Sequence, residues 1–163
     1  SEGRHKNRHY FTRKVNQKGD AVGSRKLLFF NDDLLIYKLH CNKDMNFLYR
    51  NSHFDEMFYV QSGEATFSSN FGNISLTPGD YLVIPRGVIW KINPNEELRL
   101  LLIESKSPIQ IPDRYRNKFG QLMEHSPFCE RDIVIPELQD PTIDLNIDLK
   151  NLPKDFKKAF KKP

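Results

Sequence analysis

The chain has 163 residues, a net charge of +4, 38% hydrophobic and 28% charged residues, and twelve phenylalanines. That length sets one folded domain with extensions, and the aromatic content excludes a disordered chain. No run approaches the roughly 18 apolar residues that span a bilayer, and Ser1–Arg13 is basic and polar with no apolar segment of a signal peptide.

The chain begins without Met, as a processed protein or a piece of a longer one would. Two cysteines, Cys41 and Cys129, are too few and too distant for a disulfide scaffold, and no C-x-x-C metal pattern occurs. Both read as reduced thiols of a cytoplasmic protein. The positive charge gathers at the two ends, in residues 1–26 and in Lys150, Lys154, Lys157, Lys158, Lys161 and Lys162. Such ends suit nucleic acid or anionic lipid in principle, but they read as solvated termini, and no nucleic-acid or membrane partner is expected.

Residues 1–24 lack periodicity and predict an extended basic arm. A barrel is expected over 25–110. It opens with Leu27-Leu28-Phe29-Phe30, a turn at Asn31-Asp32, and a strand over Asp33–His40. Asn46–Arg50 predicts a further strand, followed by Glu56–Gln61 and Glu64–Ser69. In the last of these, Ala65 and Phe67 alternate with polar residues, as in a strand with one buried face. Turn signals at Ser62-Gly63, Asn70–Asn73 and Pro78-Gly79-Asp80 separate strands at Asn73–Leu76, Tyr81–Ile84 and Val88–Ile92. Leu98–Glu104 is apolar on both faces and predicts a central strand. Short strands at this spacing, without intervening helical patterns, specify an all-β antiparallel barrel or jelly roll.

Over 111–163 the prolines at 112, 127, 136 and 141 exclude long helices and predict a wrapping, proline-rich excursion. Tyr115, Phe119 and Leu122 share a possible helical face that Gly120 weakens. Asp132–Ile135 reads as one more strand, and Asn151 as the cap of a short terminal helix carrying Phe156, Ala159 and Phe160.

The spacing of Glu56, Gly63, Gly79, Pro85 and Gly87 resembles the two core motifs of the cupin barrels. Cupins usually hold a metal on histidines of these motifs. Here the paired-histidine places fall on Tyr49 and Asn51, or on Arg50 and Ser52 at the shorter spacing, and the second-motif histidine place falls on Trp90. An indole N–H offers no lone pair, so only the carboxylate of Glu56 survives from the usual set. His53, with Asp55 and Glu56, is the available substitute for a metal. Strand alternation opposes it, because His53 and Asp55 share a face that Glu56 does not. The nearest further histidines are His40 and His125.

No G-x-S-x-G, P-loop, GxGxxG or H-E-x-x-H motif occurs. Cys129 near His125 reads as a buried thiol of a proline-bounded loop rather than a nucleophile. Trp90, Tyr81, Phe58 and Phe67 read as core aromatics, with a barrel mouth as the other possibility.

Longer strings narrow the resemblance. RKLLFFNDD, FLYRNSHFDEMFYVQSGE, FGNISLTPGDYLVIPRG, PDRYRNKFGQLMEHSPFCERD and IVIPE resemble the N-terminal half of bacterial homogentisate 1,2-dioxygenases, over about Arg25–Glu137. The resemblance implies a two-part, bicupin-like protein that uses Fe(II) and O2 to open the homogentisate ring in tyrosine and phenylalanine breakdown. In that family the iron triad of two histidines and a carboxylate belongs to the C-terminal half. No residue here corresponds to it, so this chain is expected to bind no iron and to serve structurally, in a homo-oligomer and beside a catalytic half of the same protein. Two alternatives stay open. One is a metal-free binding module in which Arg50, Arg86 and Trp90 hold a small carboxylate or aromatic ligand. The other is a stand-alone metal cupin using His53 and Glu56.

Overall fold

A computed structural model describes residues 9–14 and 16–139. Ten strands carry the fold: β1 (Lys18–Gly19), β2 (Lys26–Phe30), β3 (Leu34–Cys41), β4 (Tyr49–Arg50), β5 (Asp55–Ser62), β6 (Ala65–Ser69), β7 (Gly72–Leu76), β8 (Tyr81–Ile84), β9 (Ile89–Pro94) and β10 (Leu98–Ser105). The larger sheet runs β1-β3-β10-β5-β8, with β2 also paired to β3, and the smaller runs β4-β9-β6-β7. All pairings are antiparallel except β1 with β3.

Period-two alternation explains which side chains meet between the sheets. From the larger sheet, Leu39, Phe58, Val60, Leu82, Ile84, Leu98, Leu100 and Leu102 point inward. They join Ala65, Phe67, Leu76, Trp90 and Ile92 of the smaller sheet in one core. β10 lies between β3 and β5, as its two-sided apolar run predicts. The outward row Val83–Met57–Ile103–Ile36–Phe29 crosses five strands in register. Its ends stay open, with Val83 42% and Phe29 48% exposed.

The turn at Ser62-Gly63 demands glycine. Gly63 has φ +84°, and a Cβ there would sit 2.5 Å from the Glu97 carbonyl oxygen.

Five local expectations are corrected. The stretch before Arg25 does not extend away from the barrel throughout. Asp20 accepts hydrogen bonds from the Val22 and Gly23 N–H groups at 2.9 and 2.7 Å, and the resulting turn buries Ala21 and Ser24 completely. The strand expected over Asn46–Arg50 is reduced to Tyr49–Arg50, because Met45 and Leu48 turn into the core.

Asp132–Ile135 is not a strand. The Asp132 carboxylate accepts from the Cys129 N–H at 2.8 Å and closes a 3₁₀ turn, after which Ile133, Val134 and Ile135 are exposed. Cys129 is itself exposed rather than buried. Tyr115, Phe119 and Leu122 share no helix: the Asn117 side chain accepts from the Phe119 and Gln121 N–H groups and folds the segment into a turn. The terminal helix expected at Asn151 lies outside the described residues. Among those residues no helix is long and apolar enough to cross a membrane.

Candidate functional site

Among the described residues, a polar cluster lies inside the barrel. Glu56 on β5 and Glu104 on β10 are direct cross-strand partners, both on inward-facing positions. Two like charges set opposite one another repel. Arg25, at the junction of the N-terminal segment and β2, lies between them. Its Nη2 donates to Glu56 Oε1 and its Nη1 to Glu104 Oε1, each at 2.7 Å. The fork thus spans two carboxylates instead of gripping one.

The remaining bonds complete the cluster. Trp90 Nε1 donates to Glu56 Oε2 at 3.0 Å. Asn51 Nδ2 donates to Glu104 Oε1 at 3.0 Å, while Asn51 Oδ1 accepts from the His53 and Phe54 N–H groups at 3.1 Å. The Tyr49 ring stacks under the guanidinium, 4.9 Å from centroid to carbon, and meets Trp90 edge-on.

Burial sets the electrostatics. It opposes the Arg25 charge, but Glu56, Tyr49 and Glu104 together hold its pKa above the usual value. It pushes the Glu56 carboxyl above the usual carboxylate range against the pull of Arg25. Burial, then Glu104, drives the Tyr37 phenol up to about 12, so it stays protonated.

A second polar tie lies at the β8–β9 corner. Asp55 Oδ1 accepts from the Arg86 N–H and Nε at 3.1 and 2.9 Å, and Oδ2 accepts from the Ile109 N–H at 2.9 Å. Arg86 Nη2 donates to the Lys106 carbonyl at 2.6 Å. Burial pushes Asp55 upward, but these donors outweigh it and hold its pKa below the ordinary value.

The residues singled out in the sequence therefore have separate fates. Trp90 is 0% exposed and offers no ring face to a ligand. Arg86 spends its guanidinium on the Asp55 tie, and Arg50 is exposed on β4. Glu56 lies inside the barrel, bonded to Arg25 and Trp90, whereas His53 is exposed before β5. Among the described residues no group of three His, Cys, Asp or Glu side chains is placed to hold a metal. The cluster's chemistry agrees: an indole N–H, an amide turned as a donor and an aromatic ring supply no lone pair to a cation, and both carboxylates are taken by a guanidinium. These residues do not fit Fe(II).

Arg25, Glu104, Tyr37 and Asn51 were not singled out as site residues. One signal did exist: Glu104 follows the apolar run Leu100–Ile103 of the central strand, and a charge there requires a buried partner.

Residues 21–117 match the family model described as the N-terminal region of homogentisate 1,2-dioxygenase. The chain belongs to the homogentisate 1,2-dioxygenase N-terminal family. The match begins at Ala21, so it takes in Arg25. A Saccharolobus solfataricus protein provisionally named a dioxygenase is 42% identical over 129 residues, covering 78% of this chain. The chain spans only a third (33%) of that relative's length. Among solved structures, an RmlC-like cupin from Shewanella frigidimarina superposes with a TM-score of 0.51 at 21% identity, over 63% of this chain and 93% of its own. A Streptococcus pyogenes protein of unknown function does so with 0.50 at 19% identity, over 67% and 95%. These likenesses concern the fold, which is that of a cupin.

Proposed function

We propose that this chain is the N-terminal cupin region of a homogentisate-cleaving, Fe(II)-dependent dioxygenase, and that its own barrel is a structural part without an iron centre. The observation that carries the reading is the Arg25–Glu56–Glu104 cluster, which fills the barrel interior where the cupin motif residues converge. Family membership supports the dioxygenase assignment. The length left over in the S. solfataricus relative accommodates a second, catalytic region. The outward row from Val83 to Phe29 supplies apolar surface on which that region of the same polypeptide packs.

The test is direct. This chain, loaded anaerobically with Fe(II) and desalted, retains no stoichiometric iron, and with homogentisate and O2 it consumes no oxygen. Reading the gene past the codon for Pro163 reveals a second cupin region bearing two histidines and a carboxylate. Oxygen consumption by this chain alone, or a gene that stops there, overturns the reading.

A further inference from the structure

Two buried carboxylates face each other across β5 and β10; the Arg25, Asn51 and Trp90 side chains donate hydrogen bonds to them, and Tyr49 presents a π-face to the guanidinium. Such a cradle selects the cation it can hold. A divalent metal ion needs lone pairs converging at about 2.0–2.3 Å. Beyond the carboxylates, the Trp90 N–H and the Asn51 amide turned toward Glu104 present hydrogens instead. A planar guanidinium matches all of it. It presents one N–H edge to each carboxylate and a face to the Tyr49 ring. Its remaining Nε–H is directed to the Ala21 carbonyl at 3.3 Å.

We propose that Glu56, Glu104 and Tyr49 form a guanidinium-specific cation site inside the barrel, which Arg25 fills from the N-terminal junction in place of a metal ion, and whose occupancy holds the preceding segment on the barrel. The last clause follows from what lies next to Arg25. Ala21, which accepts the Nε–H, and Ser24 are fully buried, and the Ser24 hydroxyl lies 3.6 Å from the Cys41 sulfur. β1 then pairs with the end of β3 at His40 and Cys41. When the guanidinium leaves the cradle, the turn over residues 20–24 loses its anchor and Cys41 loses its cover. The inference stands on the cluster geometry alone and does not depend on the dioxygenase reading.

The experiment combines thermal unfolding with thiol counting on the intact chain. In the wild-type protein the exposed Cys129 reacts promptly with a thiol reagent and the buried Cys41 does not. In Arg25→Ala, melting falls and Cys41 reacts too. Guanidinium chloride up to about 50 mM, where its denaturing effect is slight, then raises the melting temperature of the variant in a saturable way and protects Cys41 again. It does neither in wild type, and sodium chloride and urea do neither in the variant. Fe(II) and Zn(II) stabilise neither protein. Failure of guanidinium to rescue a folded variant, or rescue by a divalent metal, overturns the proposal. If Arg25→Ala does not fold, Arg25→Lys decides. Lysine has neither the planar fork nor the Nε–H that reaches the Ala21 carbonyl. Losing that bond speeds the reaction of Cys41 at least about ten-fold over wild type, and an unchanged rate refutes guanidinium selectivity.

Discussion

Replacing Trp90 with Phe isolates one bond of the interior cluster while keeping an aromatic ring in place. Trp90 has no exposed surface and packs against Tyr49, Phe58 and Phe67 at centroid separations of 5.3, 5.5 and 6.3 Å. The substitution removes the N–H that reaches Glu56 Oε2 at 3.0 Å. A lost hydrogen bond to a charged group costs about 1.5–3 kcal/mol. The smaller ring leaves roughly 40 Å³ unfilled, which adds about 1 kcal/mol at ~24 cal/mol per Å³. The sum, about 2.5–4 kcal/mol, corresponds to a melting-temperature drop of roughly 5–16 °C for a domain of this size. Urea and thermal unfolding followed by far-UV circular dichroism measure it, since the variant has lost the protein's single tryptophan. A double-mutant cycle with Glu56→Gln separates the bond from the cavity, because only the bond requires both residues. A cost below about 1 kcal/mol, or additive effects in the cycle, refutes the assignment of Trp90 as a partner of Glu56.

Wild-type Trp90 fluorescence is blue-shifted and resists quenching by iodide, whereas a tryptophan lining an open ligand mouth is quenched; the Stern–Volmer slope decides. Asp55→Asn weakens three hydrogen bonds and costs about 2–4 kcal/mol near pH 7. Because the folded-state pKa of Asp55 is depressed, its contribution is present above the unfolded value of about 3.9 and is lost as pH falls through the folded value. Denaturant midpoints of wild type measured from pH 6 down to pH 3 include that loss, and those of Asp55→Asn lack it. Gly63→Ala and Gly79→Ala both place a side chain at positive φ, at +84° and +100°, but only the first meets a backbone oxygen. Gly79→Ala therefore costs about 1–2 kcal/mol and Gly63→Ala distinctly more, and equal costs remove the steric account of the Ser62-Gly63 turn.

The succession of strands along the chain was legible because the code is local. Alternation in Ala65–Ser69, the glycine turns and the two-sided apolar run of Leu98–Glu104 each sit within one element. The cluster was not, because its bonds join Arg25 to residues 31 and 79 positions away. Nothing in the Asp20–Arg25 segment announces a buried charge; its polar residues look like those of any solvated arm. In the sequence Trp90 occupies the place of a missing metal ligand, and only the fold reveals that it is a donor to the one surviving carboxylate. The excursion after Ser105 misled in a different way. Apolar Ile133, Val134 and Ile135 have strand character, but the Cys129–Asp132 turn and Pro136 bracket them, leaving too few residues to join a ladder.

A buried ion cluster is weak evidence for stability, since desolvation offsets most of the attraction, but it constrains pairing strongly. Glu104 faces Glu56 only in the observed register of β10 on β5. A slip by one residue carries Glu104 to the outer face, where it cannot reach Arg25, and sets Ile103 or Ser105 opposite Glu56 instead. Arg25 then faces Glu56 alone, with one edge of its fork unsatisfied inside the barrel. The same guanidinium that holds the N-terminal turn through the Ala21 carbonyl therefore also selects the register of the central strand. A bound metal ion does this for a barrel only when loaded. Arg25 does it from the moment the chain folds.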